Sequence, residues 1–268
     1  MAPPGTRPGL LDPNPPTPGV RRFERPRRDA DPSAATGQRP ILVLNDVTKR
    51  YPNGREALRD VDLVVPEGDF VFLVGPSGAG KSTLMRLLIR DETATQGKVI
   101  LDGDDLAKLP RRKIPRVRRK VGTVFQDFKL LPNKTARENI AFALEVTGTP
   151  RRRIRPAVDR VLRLVGLTAQ ADQFPRQLSG GEQQRTAIAR ALVHEPRLVI
   201  ADEPTGNLDP LISWEIIQLL LRINELGVTV LMATHDADVV TALRKRVVAL
   251  EEGRVIRDEI GGGYHRRG

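Results

Sequence analysis

A glycine-rich stretch, GPSGAGKS at residues 75–82, has the composition and spacing of a phosphate-binding loop. It fits G-x-x-x-x-G-K-[ST] and lies between an apolar run, FVFLVG, and a helical segment, STLMRLLIR. Glycines let backbone amides approach phosphates closely, and the following helix adds positive charge at its N-terminus. Lys81 could reach the β and γ phosphates, and Ser82 could ligate magnesium. A glycine-rich turn that matches the pattern by chance is the alternative, and it fits this context poorly.

A second candidate, LVIADE at residues 198–203, is an apolar run that ends in two carboxylates. The end of a strand beside a phosphate loop is where an acidic residue can hold a metal, so we predict Asp202 as a magnesium ligand. Glu203 could then polarise the water that attacks the γ-phosphate. An ordinary acidic helix start is the alternative. Together the two motifs predict a nucleotide hydrolase or a kinase.

A third stretch, LSGGEQQR at residues 178–185, forms a capping box with Ser179 as N-cap and Glu182 three residues later. This interpretation leaves Gly180 and Gly181 unexplained, since glycine weakens a helix by up to about 1 kcal/mol relative to alanine. Bare amides at a helix N-terminus would suit the approach of a phosphate.

Apolar runs separated by helical stretches must position these motifs. Strands are predicted at ILVLNDV, ALRDVDLVV, FVFLVG, KVILD, VGTVF, LVIAD and VTVLMAT. Helices are predicted at STLMRLLIR, AVDRVLRLVG and SWEIIQLLLRINELG. This alternation favours a parallel α/β sheet, and RVVALEEGRVIRDE predicts a hairpin that turns near Glu252 and Gly253.

Composition bounds the domain and excludes several chemistries. Residues 1–40 hold ten of the 22 prolines and many arginines, so we expect a disordered tail there. One domain is expected at 41–260, with a flexible end at 261–268. The absence of cysteine excludes disulfides and thiol catalysis. No apolar run reaches the roughly 18 residues of a membrane span, so we expect a cytoplasmic protein.

LSGGEQQR, placed between the two nucleotide motifs, resembles the signature motif of the ABC-type ATPases, and the resemblance covers about residues 41–258. It implies an α/β P-loop NTPase fold with a parallel core sheet, an antiparallel β subdomain and an α-helical signature subdomain at about 127–185. It implies hydrolysis of ATP with Mg²⁺. It also implies an ATP-bound homodimer in which the signature of one subunit acts in trans on the ATP of the other, through Ser179, Gly180, Gly181 and Glu182.

Other positions match this family one by one. Tyr51 resembles the aromatic that stacks on adenine, although ordinary packing is an alternative for a lone tyrosine. Gln126 resembles the glutamine that contacts magnesium, Asp209 lies in the dimer-communication loop, and His235 resembles the switch histidine. His194 and His265 match nothing. The resemblance thus implies catalytic roles for Lys81, Glu203 and His235, metal contacts from Ser82, Gln126 and Asp202, and ATP contacts from Tyr51, Gly75, Pro76, Ser77, Gly78, Ala79, Gly80, Lys81, Ser82, Thr83 and Gln126.

Three longer stretches are similar to the cell-division branch of the family: FQDFKLLPNKTARENIAFALEVTG, FPRQLSGGEQQRTAIARAL and ADEPTGNLD. Branches for lipoprotein release and macrolide efflux remain the alternative, but they usually lack an acidic residue where this chain has Asp127. The resemblance implies a transmembrane partner, attachment at the inner face of the cell membrane, and control of cell-wall hydrolysis. The proline-rich tail and Thr186 depart from the pattern.

Two other classes of function compete with a membrane-linked ATPase: nucleic-acid binding, which the net charge of +11 could favour, and ATP binding without hydrolysis. Basic clusters at 110–120 and 151–155 could bind nucleic acid or acidic lipid headgroups. We expect no nucleic acid, because the chain is one uninterrupted copy of the domain without a groove-reading motif. A scaffold that binds ATP without turnover is disfavoured because Glu203 and His235 are both present.

Overall fold

An antiparallel sheet forms the first layer of the computed structural model, which describes residues 39–263. Its strands are β1 (Pro40–Arg50), β2 (Glu56–Pro66), β4 (Gln96–Leu101) and β5 (Asp104–Asp105). The strand order is β2-β1-β4-β5, and β1 pairs antiparallel with both β2 and β4. The sheet contains the first two strands predicted from the sequence.

A six-stranded sheet forms the second layer. Its strands are β3 (Phe70–Val74), β6 (Val121–Phe125), β7 (Leu198–Asp202), β8 (Thr229–Ala233), β9 (Arg246–Glu251) and β10 (Arg254–Glu259). Their order is β10-β9-β3-β8-β7-β6; pairing is parallel from β9 through β6, and only β10 runs antiparallel, against β9. Because parallel strands end at the same edge, the loops after β3, β6, β7 and β8 meet there.

Helices cover both faces of the six-stranded sheet, which explains why its central strands are apolar throughout. The helices are α1 (Lys81–Leu88), α2 (Ile114–Lys120), α3 (Ala136–Glu145), α4 (Arg151–Leu164), α5 (Gly180–Leu192), α6 (Pro210–Glu225) and α7 (Ala237–Leu243). Along β3, Phe70 and Phe72 pack into the core shared with α3 to α7, whereas Val71 and Leu73 pack against α1 and the antiparallel sheet.

The strands and the terminal hairpin lie where the sequence pattern places them, and Glu252 and Gly253 form the turn with φ of 46° and 78°. The short helices α2 and α7 and the two-residue strand β5 were not predicted, and α3 was expected only as part of the helical subdomain. α2 lies in the basic stretch 110–120 and buries only Val117, so it shows no apolar periodicity. The predicted helical subdomain contains α3, α4 and the start of α5. The predicted tail, except for residues 39 and 40, and residues 264–268 lie outside the described residues.

Within residues 39–263, none of the helices combines the length and the apolar character that crossing a membrane requires.

Candidate functional site

The loop after β3 has a backbone that only glycine can adopt at key positions. Gly75, Gly78 and Gly80 have φ of 147°, 80° and 112°. A Cβ on Gly75 would lie 2.1 Å from the Leu250 carbonyl oxygen, and one on Gly80 would lie 2.5 Å from that of Ala57. No side chain caps α1 at Gly80, so the amides of its first turn remain available to a ligand.

The side chains that follow the loop meet the carboxylate at the end of β7. Lys81 is buried, and its Nζ donates hydrogen bonds to the carbonyls of Gly75 at 2.6 Å and Pro76 at 3.1 Å. Burial raises the pKa of the Asp202 carboxyl, while a hydrogen bond from Ser82 opposes that shift. The structure therefore brings together the lysine, hydroxyl and carboxylate that the two nucleotide motifs predict.

Glu203 and His235 lie beside this group, after β7 and β8. Glu203 has a left-handed φ of 48°, which costs about 1–2 kcal/mol for a non-glycine residue. Its backbone N–H donates to the Ala233 carbonyl at 3.1 Å, which ties the strained residue to the neighbouring strand. Its Oε2 lies 3.3 Å from Nδ1 of His235. The carboxylate is thus positioned by the sheet and paired with the imidazole.

A cavity of about 730 Å³ lies over the loop, within the size range of small-molecule sites. Tyr51 lines one part of it, with its hydroxyl 3.3 Å from Oγ1 of Thr83 and the Lys49 ammonium 4.9 Å from its ring centroid. The other lining residues are Asn53, Arg55, Gly75, Pro76, Ser77, Gly78, Ala79, Gly80, Lys81, Ser82, Thr83, Arg86, Glu203 and His235.

Three of these lining residues, Asn53, Arg55 and Arg86, were missed by the sequence reasoning. The Asn53 Oδ1 accepts a hydrogen bond from the Arg55 backbone at 3.1 Å, and an Arg55 guanidinium nitrogen lies 3.4 Å from the Gly78 carbonyl oxygen. Arg86 lies one helical turn after Ser82 on α1, so its spacing could have revealed it. Arg55 follows the turn residues YPNG, which give no sign that they approach the phosphate loop.

Gln126 lies after β6 and contacts the loop after β7 instead of the cavity. Its Nε2 donates to Asn207 Oδ1 at 3.3 Å, and Asn207 Nδ2 donates to the Gln126 carbonyl at 3.1 Å. Gln126 does not line the 730 Å³ cavity in the described part of the chain. Asp209 caps α6 by accepting from the amides of Leu211 and Ile212 at 3.1 and 3.0 Å. The loops after β6 and β7 are therefore held by these hydrogen bonds.

The signature stretch forms the capping box that its sequence predicts. The Ser179 hydroxyl accepts from the Glu182 amide at 3.3 Å, and Glu182 Oε2 accepts from the Ser179 amide at 2.8 Å. Thr186, the unexpected residue, is fully buried and donates to the Glu182 carbonyl at 2.8 Å. None of the residues 178–185 lines the 730 Å³ cavity. The start of α5 is thus ordered, but it lies away from the phosphate loop of its own subunit.

The two signature glycines have a steric role that the sequence did not reveal. A Cβ on Gly180 would lie 3.0 Å from Leu208 Cδ2, and one on Gly181 would lie 2.6 Å from Ile212 Cγ2. The start of α6 therefore packs directly on the start of α5. Access for a phosphate is not the only reason for glycine at these positions.

We expect Gly181→Ala to lower the free energy of unfolding by about 1–3 kcal/mol through this overlap with Ile212. Ile212→Ala removes the clashing methyl, so the double variant should be more stable than the sum of the two single effects implies. Urea denaturation of the four proteins measures the coupling. Strictly additive effects would contradict the steric role.

His194 takes no part in the site. His194 lies against the Ala143 carbonyl at 3.0 Å from Nε2, and burial lowers the pKa of its imidazole. His265 lies outside the described residues.

Comparisons with known proteins agree with this geometry. The sequence model of the family described as "ABC transporter" matches residues 58–206. The cell division ATP-binding protein FtsE of Streptococcus pneumoniae is 55% identical over 224 residues, which cover 84% of this chain and 97% of that protein. The proteins of the same name from Bacillus subtilis and Escherichia coli are 52% identical over 224 residues and 44% identical over 215 residues. Those alignments cover 84% and 80% of this chain and 98% and 97% of the relatives.

Two solved structures resemble the fold described above. A dimeric ATP-binding cassette in a post-hydrolysis state, bound to ADP and Pi, is 37% identical with a TM-score of 0.73 and covers 84% of this chain and 100% of its own. CbiO1 from Clostridium perfringens, part of the ABC transporter complex cbiONQ, is 32% identical with a TM-score of 0.77. That match covers 83% of this chain and 89% of CbiO1.

Proposed function

Because this chain belongs to the ABC transporter family of ATPases, and within it to the FtsE group, we propose that it is the ATP-hydrolysing subunit of a membrane complex that serves cell division. The observation that carries the proposal is the identity of 44–55% to cell-division relatives along nearly their whole length. In this role, ATP-driven closure of a dimer acts on a transmembrane partner that regulates cell-wall hydrolysis.

The nucleotide is ATP, held with Mg²⁺ in the cavity over the loop after β3. Lys81 binds the β and γ phosphates, the amides of α1 surround them, and Tyr51 stacks on the adenine. Ser82 and Asp202 hold the metal, which neutralises phosphate charge. The raised pKa of Asp202 supports this assignment, because a half-buried carboxylate benefits from a nearby cation. Gln126 is the remaining proposed contact of the metal and of ATP; it is hydrogen-bonded to Asn207 and does not line the cavity, so its side chain would have to move to reach them.

Glu203 orients and polarises the attacking water, and His235 supports its carboxylate while contacting the γ-phosphate. The 3.3 Å approach of the two side chains supports this pairing. The strained backbone of Glu203 supports it as well, since such strain concentrates at functional sites. Both side chains line the same cavity as Lys81, so water held by Glu203 would be close to the phosphates.

Two copies of the chain enclose the nucleotides. The solved cassette bound to ADP and Pi is a dimer, and residues 178–185 lie outside the nucleotide cavity of their own subunit. Ser179, Gly180, Gly181 and Glu182 of one subunit therefore complete the site of the other. Asp209, which begins α6 next to this region, communicates between the two sites.

The partner is an FtsX-like transmembrane protein, and it contacts the segment from Gln126 to Pro132. This segment contains two consecutive left-handed residues, Phe128 and Lys129, with φ of 54° and 48°. Arg190 of α5 donates to both of their carbonyls, at 2.9 and 2.6 Å. A movement of the signature helix would therefore be transmitted to the segment, and through it to a partner at the inner face of the membrane.

Charged substitutions in this segment should uncouple the partner. Phe128→Glu with Leu130→Glu is expected to abolish recovery of the membrane partner from detergent-solubilised membranes, whereas nucleotide binding stays within about twofold of the wild type. Leu226→Glu is the matched control, since Leu226 is an exposed apolar residue at the end of α6. Equal recovery by the double variant and the wild type would contradict the assigned contact.

The identity of the recovered protein tests the function itself. An FtsX-like protein supports the proposal, as does cell elongation when Glu203→Gln replaces the wild type. Recovery of a lipoprotein-release or macrolide-efflux permease, with normal division after depletion, would overturn it in favour of that transporter branch.

A further inference from the structure

A cluster of arginines on α4 has no role in the proposed function. The helix carries six arginines, all of them exposed, and a single acidic residue, Asp159. Val158, Val161 and Leu162 form the buried side. The arginines are Arg151, Arg152, Arg153, Arg155, Arg160 and Arg163. The solvent-facing side of α4 is therefore a basic stripe.

Most of this positive charge is uncompensated. Asp159 accepts a hydrogen bond from Arg137 of α3 and lies 4.0 Å from the Arg155 guanidinium. Arg160 pairs with Glu195. No carboxylate in residues 39–263 lies within 4.0 Å of the other four arginines of the helix, Arg151, Arg152, Arg153 and Arg163. Repulsion between like charges one turn apart disfavours such a stripe, so the helix carries it at a local cost.

The stripe lies near exposed apolar residues, at the end of α4 that connects to α3. On the exposed surface of α4, one shallow depression is lined by Arg151, Arg152, Arg155, Pro156, Asp159 and Arg163. Residues 146–150 join the end of α3 to the start of α4, and in this region Phe142 and Val146 are 37% and 64% exposed. Basic side chains beside a few exposed apolar ones are typical of surfaces that bind membranes peripherally.

We propose that this arginine cluster docks on the surface of an anionic membrane, with the guanidinium groups on lipid phosphates. A guanidinium matches phosphate with two parallel hydrogen bonds, and its charge persists at all physiological pH values. The inference rests on the proposed function, because a membrane-embedded partner brings the chain next to a bilayer. That location favours lipid over nucleic acid as the polyanion. The contact holds the ATPase against the membrane independently of its partner.

Vesicle flotation of the purified full chain, without partner or nucleotide, tests the proposal. We expect binding to vesicles of phosphatidylcholine with about 30% phosphatidylglycerol and none to phosphatidylcholine alone. Each basic residue near such a surface contributes about fivefold, so replacing Arg151, Arg152 and Arg155 with glutamine should weaken binding about 100-fold. The matched control replaces Arg111, Arg112 and Lys113 with glutamine, which removes the same charge from another exposed stretch. The control should lose less than about fivefold, and both variants should keep wild-type ATPase activity.

Three results would overturn the inference. The wild type could fail to bind anionic vesicles, or both triple variants could lose binding equally, which would make net charge alone responsible. A short RNA could bind with the same dependence on the α4 arginines and displace the vesicles, which would assign the cluster to nucleic acid. Each result leaves the ATPase and partner measurements untouched. Loss of partner recovery with intact vesicle binding would instead contradict the proposed function alone.

Discussion

Glu203→Gln should retain ATP binding and lose hydrolysis by at least about 100-fold, because the amide keeps the shape of the side chain but cannot polarise water. His235 can still donate a hydrogen bond to the amide oxygen at the position now 3.3 Å from Nδ1, so the cavity should keep its geometry. Phosphate release measures turnover, and equilibrium binding of a fluorescent ATP analogue measures affinity. Without turnover, the variant should accumulate as an ATP-bound dimer in gel filtration with Mg²⁺.

Lys81→Ala provides the contrasting variant. It removes the ammonium that donates to the carbonyls of Gly75 and Pro76. It also removes the proposed contact of this ammonium with the phosphates. We expect weak nucleotide binding and no ATP-dependent dimer from this protein. Undiminished hydrolysis by Glu203→Gln would remove the role assigned to that carboxylate, and unchanged ATP affinity in Lys81→Ala would remove the role assigned to the lysine.

Much of the fold and of the candidate site could be predicted because the motifs that indicate them are short and contiguous in the sequence. The ABC-type fold, ATP hydrolysis and similarity to the cell-division branch were predicted from contiguous motifs, and the comparisons confirm them. The phosphate loop is an example, since its glycines, lysine and serine lie within eight residues between a strand and a helix. Asp202 is the last residue of a buried strand and Glu203 comes next, so the apolar run that precedes them predicted where both carboxylates lie.

The contacts that could not be predicted join distant parts of the chain. Gln126 and Asn207 are 81 residues apart, and Arg190 reaches Phe128 over 62 residues. Gly181 meets Ile212 because α5 and α6 pack together, which no local pattern encodes. Arg55 reaches the phosphate loop only because the antiparallel sheet lies against it. The residue roles assigned from the family resemblance stay predictions until variants of them are measured.

The proposed arrangement of the signature across two subunits predicts the other large effect. Ser179→Arg removes the hydroxyl that accepts from the Glu182 amide and places a cation at the positive end of α5. We expect at least about a 100-fold loss of ATPase activity in the homodimer, because the bulky cation blocks the approach of the phosphate held by the other subunit. Ser179→Thr, which preserves the cap, controls for loss of helix stability and should remain active.

Mixing Ser179→Arg with Lys81→Ala then distinguishes action in trans from action in cis. In a trans arrangement, the mixed dimer has one site with two damaged halves and one site with an intact loop and an intact signature. One of the two sites in each mixed dimer is intact, so single-turnover hydrolysis per mixed dimer should reach about half that of a wild-type dimer. In a cis arrangement each subunit carries its own lesion, and no activity can return. A single-turnover measurement detects hydrolysis at the intact site even when repeated turnover requires both sites of the dimer. Failure of rescue, with mixed dimers demonstrated by differently tagged subunits, would contradict the trans arrangement.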